Sequence, residues 1–242
     1  MTGEFIKVDS VSKRFGPVVA VDRLSVSVQS GEVYSLVGAN GAGKSTLIKM
    51  IAGITEPDSG RALICGEDLS HRLPATKRRL GYLPEELILY DRLTGREYLR
   101  LVAGLKAADP RTIETEIEFF ELTDVADKWT GGYSLGMRKK LGLAGAVIGS
   151  PEVLVLDEPL NGLDVEMMRK LRIRLDDERS RGKAVIVSSH VMSFVERVSG
   201  RVGVMRGGRL IAEGSPAELR DLAGLPDAAF EDVFFRLVSA TD

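Results

Sequence analysis

Residues 38–46, which read GANGAGKST, constrain this chain more than any other stretch. An apolar run at 33–37 precedes them and predicts a buried strand, and apolar residues at helical spacing follow over 45–52. A loop of the form G-x-x-x-x-G-K-[ST] between a strand and a helix is typical of phosphate binding. The alternative is a glycine-rich turn with a surface lysine, which the flanking elements disfavour. The sequence therefore predicts a nucleoside triphosphate site.

The residue types in this loop suit the oxygens of a triphosphate. Glycines let the backbone approach an oxygen without a Cβ in the way, and successive N–H groups point into one concavity at a helix N-terminus. We expect the Lys44 ammonium to reach the β- and γ-phosphates and the Ser45 hydroxyl to hold Mg²⁺. The predicted phosphate-binding residues are Gly38, Asn40, Gly41, Ala42, Gly43, Lys44, Ser45 and Thr46.

Composition indicates which binding partners and which cellular compartment to expect. The chain has 242 residues, and its 33 Lys and Arg residues nearly balance 35 Asp and Glu residues, for a net charge of −2. Without a strong basic field we expect no nucleic-acid partner. The single cysteine, Cys65, fits a reducing compartment. No signal-peptide pattern and no run near the roughly 18 apolar residues of a membrane span is present, so we expect a cytoplasmic protein that reaches a membrane only through a partner.

Hydrophobic periodicity predicts an α/β fold. Residues 4–11 and 18–28 alternate as half-buried strands do, and 153–156 is continuously apolar, as in a strand buried on both faces. Strands that alternate with helices indicate a mostly parallel sheet with helices on both sides. We assign a core with a β subdomain to 1–85 and 151–222, a helical subdomain to 86–150 and a C-terminal helix to 223–242.

Two predicted buried strands end in polar side chains. Asp157 and Glu158 follow one of them, and His190 follows the strand at 184–189. Ligands of open α/β sheets bind at this carboxyl edge. With a phosphate loop upstream, we expect Asp157 to hold Mg²⁺ through water, Glu158 to polarise the attacking water, and His190 to sense or stabilise the γ-phosphate. The alternative for Asp157 and Glu158 is a solvated acidic turn, and a lone histidine is usually structural.

Set together, these motifs resemble those of the nucleotide-binding subunits of ABC (ATP-binding cassette) transporters, in the family's order and over nearly the whole chain. The corresponding positions are Phe15 for the aromatic A-loop, 38–46 for Walker A, Glu85 for the Q-loop, YSLGM at 133–137 for the signature, Asp157 and Glu158 for Walker B, LNGLD at 160–164 for the D-loop, and His190 for the H-loop.

The resemblance implies a fold and an assembly. The expected fold is a P-loop NTPase core with an N-terminal antiparallel β subdomain and an inserted α-helical subdomain. The expected assembly is a head-to-tail dimer in which Ser134 and Gly136 of one subunit meet the γ-phosphate held by the other, since they precede a predicted helix and so form an anion site. Phe15 would stack on adenine, although an ordinary hydrophobic turn residue remains the alternative there.

Two residues depart from the family pattern. Leu135 stands where the signature usually has glycine, and its Cβ is expected to crowd the phosphate of the other subunit. Three consequences stay open, namely a weaker dimer, slower hydrolysis, or a role for this chain as one half of an asymmetric heterodimer. Glu85 replaces the Q-loop glutamine, and its carboxylate is expected to ligate Mg²⁺ together with Ser45 and Asp157. The YLPEE form at 82–86 and the tail at 230–234 resemble those of bacterial exporter-type ATPases.

The resemblance thus implies an ATPase that powers export. The expected cofactors are ATP and Mg²⁺. The expected partners are a polytopic membrane transporter subunit and a second ATPase subunit, identical or related, and the expected location is peripheral on the inner face of the cell membrane. The catalytic residues would be Lys44, Glu158 and His190. Two alternatives stay open, namely a soluble cassette ATPase not tied to transport and a module that binds ATP but hydrolyses it weakly.

Overall fold

The structure, a computed structural model, describes residues 3–68 and 74–240. The strands are β1 (Glu4–Phe15), β2 (Val18–Gln29), β3 (Val33–Val37), β4 (Ser59–Ile64), β5 (Glu67–Asp68), β6 (Leu80–Leu83), β7 (Val153–Leu156), β8 (Ala184–Ser188), β9 (Arg201–Arg206) and β10 (Arg209–Gly214). The helices are α1 (Lys44–Ile51), α2 (Pro74–Arg78), α3 (Gly95–Lys106), α4 (Thr112–Phe119), α5 (Leu135–Val147), α6 (Val165–Ser180), α7 (Met192–Val198), α8 (Pro216–Ala223) and α9 (Phe230–Ser239).

The larger sheet holds the site. Its strand order is β10-β9-β3-β8-β7-β6, and every neighbouring pair except β9 and β10 is parallel. Every residue of β3, β7 and β8 is buried, as expected for strands covered by helices on both faces. The parallel register brings the carboxyl ends of β3, β7 and β8 to one edge. The predicted α/β class with a mostly parallel sheet is confirmed.

A second, antiparallel sheet is formed near the N-terminus, in the order β2-β1-β4-β5. Its first two strands are longer than the periodicity suggests. Phe15 is a strand residue and not a turn residue, because it still pairs with Val18 on β2 and only Gly16 and Pro17 form the turn. The Asp58 carboxylate accepts hydrogen bonds from the Arg14 N–H and the Lys13 ammonium, at 2.7 and 2.8 Å. These bonds hold the end of β1 extended.

Helices α3 to α5 are inserted between β6 and β7. A capping box opens α3, because the Thr94 hydroxyl accepts from the Glu97 N–H while the Glu97 carboxylate accepts from the Thr94 N–H. The inserted helices share a continuous apolar cluster with the sheet, including Leu99, Phe120 and Leu154. The insertion therefore packs directly on the sheet that carries the site.

The C-terminal helices cover the other end of the sheet. α8 begins with a capping box at Ser215 and Glu218. α9 packs its apolar face, which includes Val233 and Leu237, against Val195 of α7 and Val204 of β9. Within residues 3–68 and 74–240, no helix combines the length and the apolarity needed to cross a bilayer.

Candidate functional site

The loop between β3 and α1 turns where only glycine fits. Gly43 has a φ of 102°, and a Cβ there would lie 2.2 Å from the carbonyl oxygen of Ala20 on β2. A Cβ on Gly38 would lie 2.5 Å from the carbonyl oxygen of Met205 on β9. Both glycines are thus required for the loop to pass between neighbouring strands. The loop then delivers its N–H groups to the N-terminus of α1, where an anion is favoured.

This loop forms the wall of a cavity of about 410 Å³, within the range of small-molecule sites. The cavity brings together most of the predicted phosphate-binding residues with Glu85 and Glu158. Val18 and Ala20 of β2 also line it and carry no sequence signal for that role. The lining residues are Val18, Ala20, Asn40, Gly41, Ala42, Gly43, Lys44, Ser45, Thr46, Glu85 and Glu158.

Lys44 is held ready inside the loop. Its ammonium is buried and donates hydrogen bonds to the carbonyl oxygens of Gly38, at 2.8 Å, and Ala39, at 3.3 Å. Two neutral carbonyl oxygens compensate a buried charge only in part. A phosphate oxygen in the cavity would be a stronger partner for this ammonium, because both groups would then be charged.

Asp157 is completely buried at the end of β7. One carboxylate oxygen, Oδ1, accepts hydrogen bonds from the hydroxyls of Ser188, at 2.6 Å, and Ser45, at 3.2 Å. The other oxygen, Oδ2, is buried without a hydrogen-bond partner. Burial raises the pKa of Asp157, and the two serine hydroxyls oppose that shift. Ser188, which orients this carboxylate, carries no motif in the sequence beyond being a polar residue inside a buried strand.

The Asp157 Oδ2 oxygen, which has no hydrogen-bond partner, could serve as a ligand for a cation. In the described parts of the chain, no group of three or more His, Cys, Asp or Glu side chains forms a metal cluster. Mg²⁺ fits this arrangement, because it usually takes one or two carboxylates and completes its shell with water and substrate phosphates. Ser45 and Asp157 would hold it, with Glu85 adjacent, since the Ser45 hydroxyl lies 3.4 Å from a Glu85 carboxylate oxygen.

Glu158 and His190 meet at the same edge of the sheet. The Glu158 Oε2 oxygen lies 2.9 Å from Nδ1 of His190, while the Glu158 backbone N–H donates to the Ser188 hydroxyl at 2.9 Å. Glu158 has a φ of 45°, a conformation that is costly for a residue with a Cβ. The backbone strain and the histidine contact together aim this carboxylate into the cavity.

The signature residues lie outside this cavity. Ser134 caps α5, with its hydroxyl oxygen accepting from the Met137 N–H at 3.3 Å, so its proton remains available to a ligand. A Cβ on Gly136 would lie 2.5 Å from the Gly162 carbonyl oxygen, so α5 begins tight against the D-loop of its own chain. The Leu135 side chain lies close to Gly162 and is 64% exposed.

Phe15, the predicted adenine-stacking residue, does not line the cavity. Its side chain is 53% exposed, and the Lys13 ammonium lies 5.7 Å from its ring centre.

A comparison with protein families shows which family this chain belongs to. The family described as ABC transporter matches residues 21–161, more than half of the chain. The chain belongs to the ABC transporter family. It is a nucleotide-binding subunit, as the sequence resemblance predicts, and its P-loop core is that of the ABC cassettes.

Relatives of this ABC transporter subunit are ATP-binding proteins named for Nod factor export or as a multidrug transporter. It is 40% identical to the Nod factor export ATP-binding protein I of Burkholderia lata, over 87% of this chain and 70% of that protein. The same protein of Burkholderia thailandensis is 41% identical over 88% of this chain and 72% of its own length. The probable multidrug ABC transporter ATP-binding protein YbhF of Escherichia coli is 33% identical over 98% of this chain, which spans 42% of YbhF.

Solved cassettes share the architecture of this subunit. An ATP-binding subunit of an ABC transporter superposes with a TM-score of 0.90 at 28% identity, covering 97% of this chain and 99% of its own. MJ0796, a bacterial ABC transporter cassette solved as a dimer, gives a TM-score of 0.81 at 22% identity, over 87% of this chain and 98% of its own. The second likeness bears on the fold alone.

Proposed function

We propose that this subunit hydrolyses ATP to power export through a separate membrane subunit, by closing on a second ATPase subunit when ATP binds. The observation that carries the proposal is that a buried ammonium (Lys44) and a carboxylate in contact with a histidine (Glu158) line one cavity. Asp157, which has one carboxylate oxygen without a partner, is hydrogen-bonded to Ser45 of the same cavity wall. Steady-state phosphate release from Mg-ATP tests it, and a wild-type chain without turnover in the presence of its partners would contradict it.

The proposed chemistry assigns one task to each residue. Lys44 exchanges its carbonyl contacts for oxygens of the β- and γ-phosphates. Glu158 accepts the proton of the water that attacks the γ-phosphorus, and the His190 contact keeps that carboxylate in place. Bound Mg²⁺ would neutralise charge on the phosphates and would rest on Ser45 and Asp157. The products are ADP and phosphate.

Closure requires a second anion site, which α5 offers. The free Ser134 hydroxyl proton and the N–H of Gly136 stand at a helix N-terminus, where the dipole favours a phosphate. These groups lie outside the cavity of their own chain, so we propose that they reach the γ-phosphate of the paired subunit. The Glu85 loop is the proposed hinge between α5 and the core, because the buried Lys139 ammonium of α5 donates to the Glu85 carbonyl oxygen at 2.7 Å.

The proposed membrane partner would dock on the inserted helical region. Large apolar side chains are exposed on α3 and in the loops beside it, which suits a partner helix better than water does. These side chains are Ile88, Tyr90, Leu101, Leu105 and Trp129. Co-purification with a polytopic membrane protein in detergent separates this function from that of a soluble cassette ATPase. The names of the Nod factor export and multidrug transporter relatives favour the transporter.

Replacing Leu135 by glycine is expected to raise ATP turnover by about two- to fivefold, because the Cβ that would crowd the paired subunit's phosphate is removed. The Leu135→Ala variant is the matched control, since it shortens the side chain but keeps the Cβ. Steady-state ATPase rates of both variants measure the effect. Equal rates for wild type and Leu135→Gly would show that this side chain does not limit closure.

Replacing Asp157 by asparagine is expected to raise the Tm of the nucleotide-free chain while abolishing Mg-dependent hydrolysis. Because burial raises the pKa of Asp157 above its unfolded value, the folded state binds the proton more tightly, and stability falls as pH rises through that window. At neutral pH the ionised carboxylate is therefore a cost that the amide lacks. Asp164→Asn is the control and should not raise the Tm. Hydrogen bonding to the Met167 N–H lowers the pKa of that exposed carboxyl, so its ionised form is not a cost to the folded state. A lower Tm for Asp157→Asn at pH 7, measured by calorimetry, would contradict this account.

A further inference from the structure

The first turn of α7 separates two surface cavities that the nucleotide cavity does not include. One, of about 400 Å³, lies between the phosphate loop with His190 and the outer side of α9. The other, of about 320 Å³, is a groove between α6 and α7 that begins just after the D-loop. His190 lines the first and Val191 lines the second. The two features therefore adjoin each other at the start of α7, beside the phosphate loop.

The groove between α6 and α7 is apolar with a basic border. Its apolar lining includes Val165, which is 83% exposed, Met168 and Phe194. Its border carries three guanidinium groups, those of Arg169, Arg172 and Arg197. Arg172 lies 3.8 Å from Asp176, and within the described residues no ion pair is found for Arg169 or Arg197. The groove thus suits an occupant that is both acidic and apolar.

The outer edge of α9 has that chemistry. Glu231 and Asp232 are exposed in its first turn, and no ion pair is found for either carboxylate in the described part of the chain. Phe235 follows one turn later and is 58% exposed. We define the acidic edge as these three residues. It presents two carboxylates and one aromatic ring to solvent, although the opposite face of α9 is fully used in packing.

We propose that the acidic edge of α9 docks in the groove between α6 and α7 of a second copy of this chain. An interface with two-fold symmetry requires one surface to carry both complementary patches, so that each copy gives its edge and receives the other's. Here the two patches adjoin α7 and are complementary in charge, and both carry apolar side chains. The inference rests on the proposed function in one respect, namely that the second copy is the one that closes on nucleotide. The contact would keep the two copies associated while their nucleotide sites are open.

The experiment uses charge reversal in two full-length variants. The edge variant carries Glu231→Arg and Asp232→Arg, and the groove variant carries Arg169→Glu and Arg197→Glu. When either variant pairs with itself, the edge and the groove carry like charges in both edge–groove contacts. When the edge variant pairs with the groove variant, the charges are opposite in both contacts. The matched control carries Glu118→Arg and Asp124→Arg, at exposed carboxylates on the helical insertion. Self-association is measured by fluorescence resonance energy transfer between donor-labelled and acceptor-labelled chains, with and without Mg-ATP.

Without nucleotide, each reversed variant is expected to self-associate about tenfold more weakly than wild type and the control, and the mixture is expected to recover. The wild-type association should also weaken as salt is raised. Unchanged association in both variants, or no recovery in the mixture, would overturn the inference. The Mg-ATP arm tests the proposed function separately. If ATP tightens no variant at all, closure on nucleotide fails, while the charge pattern without nucleotide still decides the docking of α9.

Discussion

A chain carrying Glu158→Gln is expected to lose ATP turnover by a factor of about 10² to 10⁴, the contribution of a positioned general base. The amide keeps the size of the side chain and can still contact His190, so the cavity and its phosphate loop should stay intact. ATP binding is therefore expected to persist, and the ATP-bound dimer should accumulate because it cannot reopen by hydrolysis. Phosphate release measures the first effect, and titration with a fluorescent ATP analogue measures the second.

The control for this variant is Glu86→Gln, which makes the same change at an exposed glutamate outside the cavity. It should hydrolyse ATP at the wild-type rate. Wild-type turnover in Glu158→Gln itself would remove the general base from the account. Loss of ATP binding together with turnover would instead assign Glu158 to holding the nucleotide, since a base for the attacking water is not needed for binding.

The phosphate loop could be predicted from the sequence because its requirements are local. Gly43 takes a positive φ within the loop itself, and Lys44 and Ser45 come directly after it in the chain. The meeting of Glu158 and His190 could be anticipated only through the fold, as two strands of one parallel sheet that end at the same edge. Their catalytic roles stay predictions.

Features that depend on distant partners could not be predicted in this way. The extension of β1 to Phe15 depends on Asp58, more than 40 residues away, which accepts from Lys13 and Arg14. The role of Ser188 in orienting Asp157 depends on two strands lying side by side. The basic groove is formed by side chains from α6 and α7 that no local pattern joins. In each case the information lies in tertiary contacts.

The second large effect is expected when two inactive variants are mixed. Lys44→Ala removes the ammonium that meets the phosphates. Ser134→Asp keeps a good N-cap for α5 but replaces the hydroxyl donor by a negative charge that repels the γ-phosphate. Each variant alone should have less than about 1% of wild-type turnover. In a mixed pair, one nucleotide site carries both defects and the other carries neither, because Lys44 and Ser134 of one site come from different copies.

This mixing experiment tests most directly the claim that nucleotide is held between two subunits. At equal amounts, half of the pairs are mixed and each has one intact site of two, so the mixture should recover about one quarter of wild-type ATPase activity. A mixture of Lys44→Ala with Glu158→Gln serves as the control and should stay inactive, because both residues act in the same site of the same copy. No recovery in the Lys44→Ala and Ser134→Asp mixture, measured as steady-state phosphate release, would contradict the account.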